Sequence, residues 1–113
     1  MNVKLATIAA ALLLSMSGLA QAADTFVVIS HEVKDFSIWK KAYDGDKVNR
    51  DKAGLVERAM MRNSEKPNLV TIVFEAPNEA AAKAFTSNPA LKDVMIKAGV
   101  MPPPNISVGK AVN

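Results

Sequence analysis

The chain has no cysteine, one histidine, one tryptophan and one tyrosine among 113 residues. Without thiols it has no disulfide to brace a small fold, no thiolate metal site and no cysteine nucleophile. One histidine cannot make a helical zinc-binding pair, and a zinc site would have to recruit carboxylates for its other ligands. No glycine-rich phosphate loop and no Gly-x-Ser-x-Gly elbow is present. Met60, Met61, Met95 and Met101 lack the clustered spacing that copper would need and read as core filler. No metal and no cofactor is therefore expected.

Charge of one sign is lacking too. Lys40 and Lys41 precede Asp44 and Asp46, and Arg50-Asp51-Lys52 alternates, so no basic stripe offers itself to phosphates. Nucleic acid is not an expected partner. Long apolar runs are scarce as well: the one candidate, Leu5 to Leu14, falls short of the roughly 20 residues that span a bilayer. With Lys4 before it and Ala20-Gln21-Ala22 after it, that run reads as a signal peptide over residues 1–22, cleaved after Ala22. Ala23 is not a cysteine, so no lipid is attached there. The expected product is a periplasmic or secreted protein with no membrane association after cleavage. Removing 22 of the 113 residues leaves 91, with 13 basic and 11 acidic side chains, enough for one small domain over residues 23–113.

Within that domain, the β-branched and aromatic stretch Thr25 to Val33 predicts a strand. One of its faces carries Val27, Ile29, His31 and Val33, the other Phe26, Val28, Ser30 and Glu32. Asp35 is placed to cap a helix whose apolar arc holds Phe36, Ile38, Trp39, Ala42 and Tyr43, running to about Ala53 and stopped by Gly54. Leu55 to Asn63 and Leu69 to Ala76 predict two strands around a polar hairpin loop. Asn78 caps an alanine-rich helix that should bury Ala81, Ala84 and Phe85. Asn88-Pro89 restarts the helix, which Gly99 stops. Pro102-Pro103-Pro104 should break the chain ahead of a last strand, Asn105 to Ala111.

The order β-α-β-β-α-β predicts an α+β, ferredoxin-like domain, an antiparallel sheet in order 4-1-3-2 with its helices on one face. The other sheet face, expected to show Val28, Val70, Ile72 and Phe74, should be covered by a second copy, giving a homodimer.

The residues His31-x-Val33-x-Asp35-Phe36-x-x-Trp39-x-x-x-Tyr43-Asp44, Ala53-Gly54-Leu55 and Pro67-Asn68-x-Val70 open a pattern. Ala84-Phe85, Ser87-x-Pro89-x-Leu91 and Met95-x-x-Ala98-Gly99-Val100 continue it. Together they resemble a little-characterised group of small proteins in the dimeric α/β-barrel superfamily, relatives of the antibiotic-biosynthesis monooxygenases. The resemblance spans about Thr25 to Ala111. It implies a ferredoxin-like protomer that pairs sheet to sheet into a barrel. The superfamily's chemistries include cofactor-free oxygenation, haem degradation, isomerisation and cyclisation. The haem-degrading members combine Asn, Trp and His in a different layout, so haem is not implied here.

His31 is the side chain expected to titrate near neutrality, and it offers two readings: a structural histidine held by a carbonyl or carboxylate, or a functional one, as a general base or a hydrogen-bond donor in a small pocket. Trp39 and Tyr43 lie one helical turn apart, either as core or as the wall of a slot for a planar ligand. Asp46 and Arg50, four apart, read first as an ordinary surface ion pair, with a half-buried pair at a pocket mouth as the other option. Alternation along the second strand groups Arg58, Met60 and Arg62 opposite Glu57, Ala59 and Met61. Those charges read first as protection of an edge strand.

Two functions follow. One is an envelope binding protein holding a small apolar or aromatic molecule between helices and sheet, with His31, Trp39 and Tyr43 lining the pocket. The other is a cofactor-independent monooxygenase, isomerase or cyclase acting on a small aromatic or polyketide-like substrate. In that case His31 is the base, Trp39 and Tyr43 position the ring, and Arg62 steadies developing negative charge.

Overall fold

The computed structural model describes residues 24–112; the expected signal peptide lies outside the described residues. Eight elements follow in order: β1 (Thr25–Val33), α1 (Phe36–Gly45), α2 (Lys47–Lys52), β2 (Val56–Arg62), β3 (Leu69–Ala76), α3 (Glu79–Thr86), α4 (Pro89–Lys97) and β4 (Val100–Lys110). The four strands pair antiparallel in the order β2-β3-β1-β4, the expected order read from the other edge. Among the described residues no helix is long and apolar enough to cross a membrane.

The helix starts follow from capping chemistry. Asp35, Asn78 and Asn88 accept from the backbone N–H groups of Ile38, Ala81 and Ala90, satisfying donors that the first turn leaves free. Gly54 and Gly99 end the helical layers with φ of 81° and 90°, a conformation that costs glycine little. The expected single helix to Ala53 is instead two. Gly45, a poor helix former, is followed by Asp46 at φ −94°, ψ 9°, where the ladder breaks before α2 starts.

β1 alternates strictly, with Val27, Ile29, His31 and Val33 buried under the helices. Opposite them on β3 stand Phe74, Ile72 and Val70, paired with Val27, Ile29 and His31. This corrects the sequence reading, which put Val70, Ile72 and Phe74 on the other face. Period-2 alternation fixes which residues of β3 share a face, but only the pairing register decides which face meets the helices. The open face carries Phe26, Val28, Leu69 and Val73, all half-buried, with a Ser30–Thr71 hydroxyl pair at 3.0 Å and an Arg58–Glu75 ion pair at 2.6 Å. Val56 and Met61 extend that face onto β2, 47% and 62% exposed.

Two irregularities change other expectations. The proline triplet does not precede the last strand but lies within it. Glu32 pairs with Met101 and Ser30 with Asn105, so Pro102, Pro103 and Pro104 together face the single residue His31. Proline lacks a ladder donor, and an edge strand with a bulge is where that lack is tolerated. A second bulge between Glu57 and Ala59 on β2 resets the alternation. Glu57 therefore shares the helix-side face with Met60 and Arg62, while Arg58 turns to the open face and Glu75. On α3 the fully buried alanine is Ala82, and Ala84 is exposed.

Candidate functional site

α1 and β1 supply the centre of the site. The strand's alternation turns His31 toward the helices, and the three- and four-residue spacing of α1 aligns Phe36, Trp39 and Tyr43 above it. Trp39 meets the His31 ring edge-on, with centres 5.4 Å apart and planes at 78°. It also stacks on Tyr43 at 5.0 Å and 27°. Phe74 of β3 and Phe85 of α3 continue the aromatic wall, Phe85 meeting Phe74 at 6.5 Å.

The rings of His31, Trp39, Tyr43, Phe74 and Phe85 enclose a mostly apolar cavity that reaches Leu91, Val94 and Met95 of α4. The space open to the centre of a water-sized sphere is about 50 Å³, room for a few waters. A wider cleft of about 540 Å³ by the same measure adjoins it between α2 and the α3–α4 layer, and the two share Asp46, Phe85, Leu91 and Val94.

His31 is 4% exposed and lines the inner cavity. Neither Nδ1 nor Nε2 has a hydrogen-bond partner among the described residues. Burial penalises the charged ring and lowers its pKa from 6.5 to about 4, so the imidazole is neutral at pH 7. A neutral imidazole carries one donor and one acceptor, and here both are unspent. Among the described residues no carbonyl or carboxylate holds the ring, and a group that protonates near pH 4 is a weak general base at neutrality.

Tyr43 donates its hydroxyl hydrogen to Oε1 of Glu57 at 2.7 Å. Burial first, and then the bond to Glu57, push its ionisation well above the ordinary tyrosine range, with Arg50 opposing in part. Arg50 is 7% exposed, so it is no surface residue. Its Cζ lies 3.6 Å from the centre of the Tyr43 ring, and Nη1 donates to the Tyr43 carbonyl at 2.8 Å. The expected surface pair with Asp46 does not form; Asp46 accepts instead from the Asn49 amide. Both Asp46 and Arg50 line the inner cavity.

Of the sequence candidates, His31, Trp39 and Tyr43 thus come together. Arg62 does not join them: its Nε donates to the Pro67 carbonyl at 2.8 Å and its guanidinium covers the Phe36 ring at 3.9 Å, outside the cavity. Glu57 and Arg50 are the polar neighbours that sequence reasoning ranked too low. The seven-residue spacing of Arg50 from Tyr43, two turns of the single helix that the sequence predicts, is the available signal, although the chain breaks between them at Asp46. Among the described residues no group of three or more metal-binding side chains gathers.

No family model matches the chain, and no curated protein matches it. Solved structures do. A Bordetella bronchiseptica protein provisionally described as an antibiotic biosynthesis monooxygenase superposes with a TM-score of 0.66 at 14% identity, over 80% of this chain and 99% of that one. SnoaB, a cofactor-independent oxygenase from Streptomyces nogalater, gives 0.64 at 12% identity, over 81% and 96%. The ActVA-Orf6 monooxygenase of Streptomyces coelicolor, solved with Nanaomycin D, gives 0.57 at 14% identity, over 82% and 91%. The chain therefore has the ferredoxin-like α+β fold found in structures of antibiotic biosynthesis monooxygenases.

Proposed function

We propose that the chain binds a small planar molecule in the cavity between helices and sheet, with the neutral His31 imidazole hydrogen-bonding the ligand's polar group. The observation that carries this is the pair of buried imidazole nitrogens without a partner. A buried donor or acceptor left unpaired costs about 1–3 kcal/mol, which a ligand able to pair with it would recover. Trp39 is the single tryptophan of the chain and touches His31, so its fluorescence reports on the site. Phenol should change that fluorescence saturably and bind more tightly than toluene, and His31→Leu should remove the preference. Equal affinity for the two, or no binding of either, would contradict the reading.

A second reading is a cofactor-independent monooxygenase, isomerase or cyclase, favoured by the oxygenases among the structural neighbours. In it His31 acts by hydrogen bonding more readily than by taking a proton, because burial disfavours its charged form. Oxygen uptake with a quinol-like substrate and no added cofactor tests the oxygenase form.

Two properties of the molecule belong to the same proposal. Export with cleavage after Ala22 rests on the leader's apolar run and its Ala20-Gln21-Ala22 end; intact mass of the exported product should correspond to a chain starting at Ala23. Homodimerisation rests on the apolar open face of the sheet around Val28 and Val73.

A further inference from the structure

The His31 cavity has a second polar feature, and it bears on the charge of the ligand. Arg50 is buried, and its side chain is a cation. A buried charge is normally matched by an opposite one. Among the described residues the ion pairs are Lys40–Asp44, Lys47–Asp51, Arg58–Glu75 and Lys83–Glu79, and none includes Arg50. The acids that line a cavity or cleft with it are otherwise engaged: Asp46 by the Asn49 amide, Glu57 by the Tyr43 hydroxyl, Asp44 by Lys40 and Asp51 by Lys47. Among the described residues Arg50 has the Tyr43 carbonyl, bonded through Nη1, and the face of the Tyr43 ring. Nε and Nη2 have no protein partner among the described residues, and Arg50 lines both the aromatic cavity and the open cleft beside Asp44 and Glu57.

We propose that the cavity is built for an aromatic carboxylate, its ring held among Trp39, Tyr43 and Phe74 and its carboxylate completing the charge of Arg50. A guanidinium presents parallel N–H groups that match the two oxygens of a carboxylate, a fit that a lysine would lack. Asp46 works against the anion from the same wall, so it limits affinity and does not reverse the preference. The inference rests on the reading of this cavity as a ligand site and adds the sign of the ligand's charge.

The test is a Trp39 fluorescence titration of the full chain with benzoate, its neutral amide benzamide, and the cation benzylamine. Benzoate should bind roughly ten- to a hundredfold more tightly than benzamide, the range expected of a charge-assisted hydrogen-bonded pair. Arg50→Gln should bring benzoate down to the benzamide level, and Asp46→Asn should tighten benzoate. The wild-type comparison decides the matter even if Arg50→Gln fails to fold. Benzamide or benzylamine binding as tightly as benzoate overturns the anionic ligand and leaves the ligand site standing. No response to any of the three overturns the ligand site, and the inference with it.

Discussion

The imidazole of His31 and the indole of Trp39 meet edge to face at 5.4 Å, in a cavity wall where the histidine's nitrogens have no partner among the described residues. Aromatic packing thus fixes the ring without using its hydrogen bonds. The side chain is oriented by apolar contact, and both ring nitrogens stay unpaired among the described residues.

That arrangement makes stability depend on pH in a defined window. The folded pKa of about 4 lies below the ordinary 6.5, so between these values the unfolded chain takes up a proton that the folded chain does not. The contribution of His31 is fully present above pH 6.5 and is lost as pH falls toward 4, by up to about 3 kcal/mol. Urea unfolding across that window should show His31→Leu with a shallower loss of stability than the parent. Parallel curves would contradict the burial argument.

Two glycines should respond oppositely to alanine. Gly54 has φ 81°, and a Cβ there would come within 2.5 Å of Pro77 Cγ, so Gly54→Ala should destabilise by about 1–3 kcal/mol. Gly45 closes α1 with nothing within 4 Å of an added Cβ, so Gly45→Ala should stabilise by about 0.5–1 kcal/mol. Thermal unfolding of the two variants beside the parent checks both signs.

Much of this frame was legible in the sequence because it depends on local chemistry. Asp35, Asn78 and Asn88 announce helix starts, Gly54 and Gly99 announce stops, and the alternation of Thr25–Val33 places His31 with Ile29 and Val33. What escaped depends on register and on breaks in regularity. The bulge at Glu57/Ala59 brings Glu57 to Tyr43 and sends Arg58 away. The break at Asp46 separates α1 from α2, and Arg50 packs back on Tyr43 across it. Arg62 was grouped correctly with Met60, but pairing with the Pro67 carbonyl keeps it from the cavity. Neither bulge nor break has a composition signal strong enough to read in advance.

Dimerisation is tested at Val28, at the centre of the open face beside Val73. Light scattering should give about twice the chain mass for the parent, a second copy being the simplest closed cover for an apolar sheet face. Val28→Asp should give the single-chain mass while retaining the circular dichroism of the parent. A monomeric parent would contradict the dimer.

The most direct test of the ligand site is a nitrogen NMR spectrum of the His31 imidazole recorded while phenol is added. As the single histidine of the chain, its two ring nitrogens need no assignment. The account predicts a neutral ring at pH 7 whose nitrogen resonance shifts saturably, in step with the change in Trp39 fluorescence. Ring nitrogens that stay put while Trp39 responds, or a ring already charged at pH 7, would contradict it.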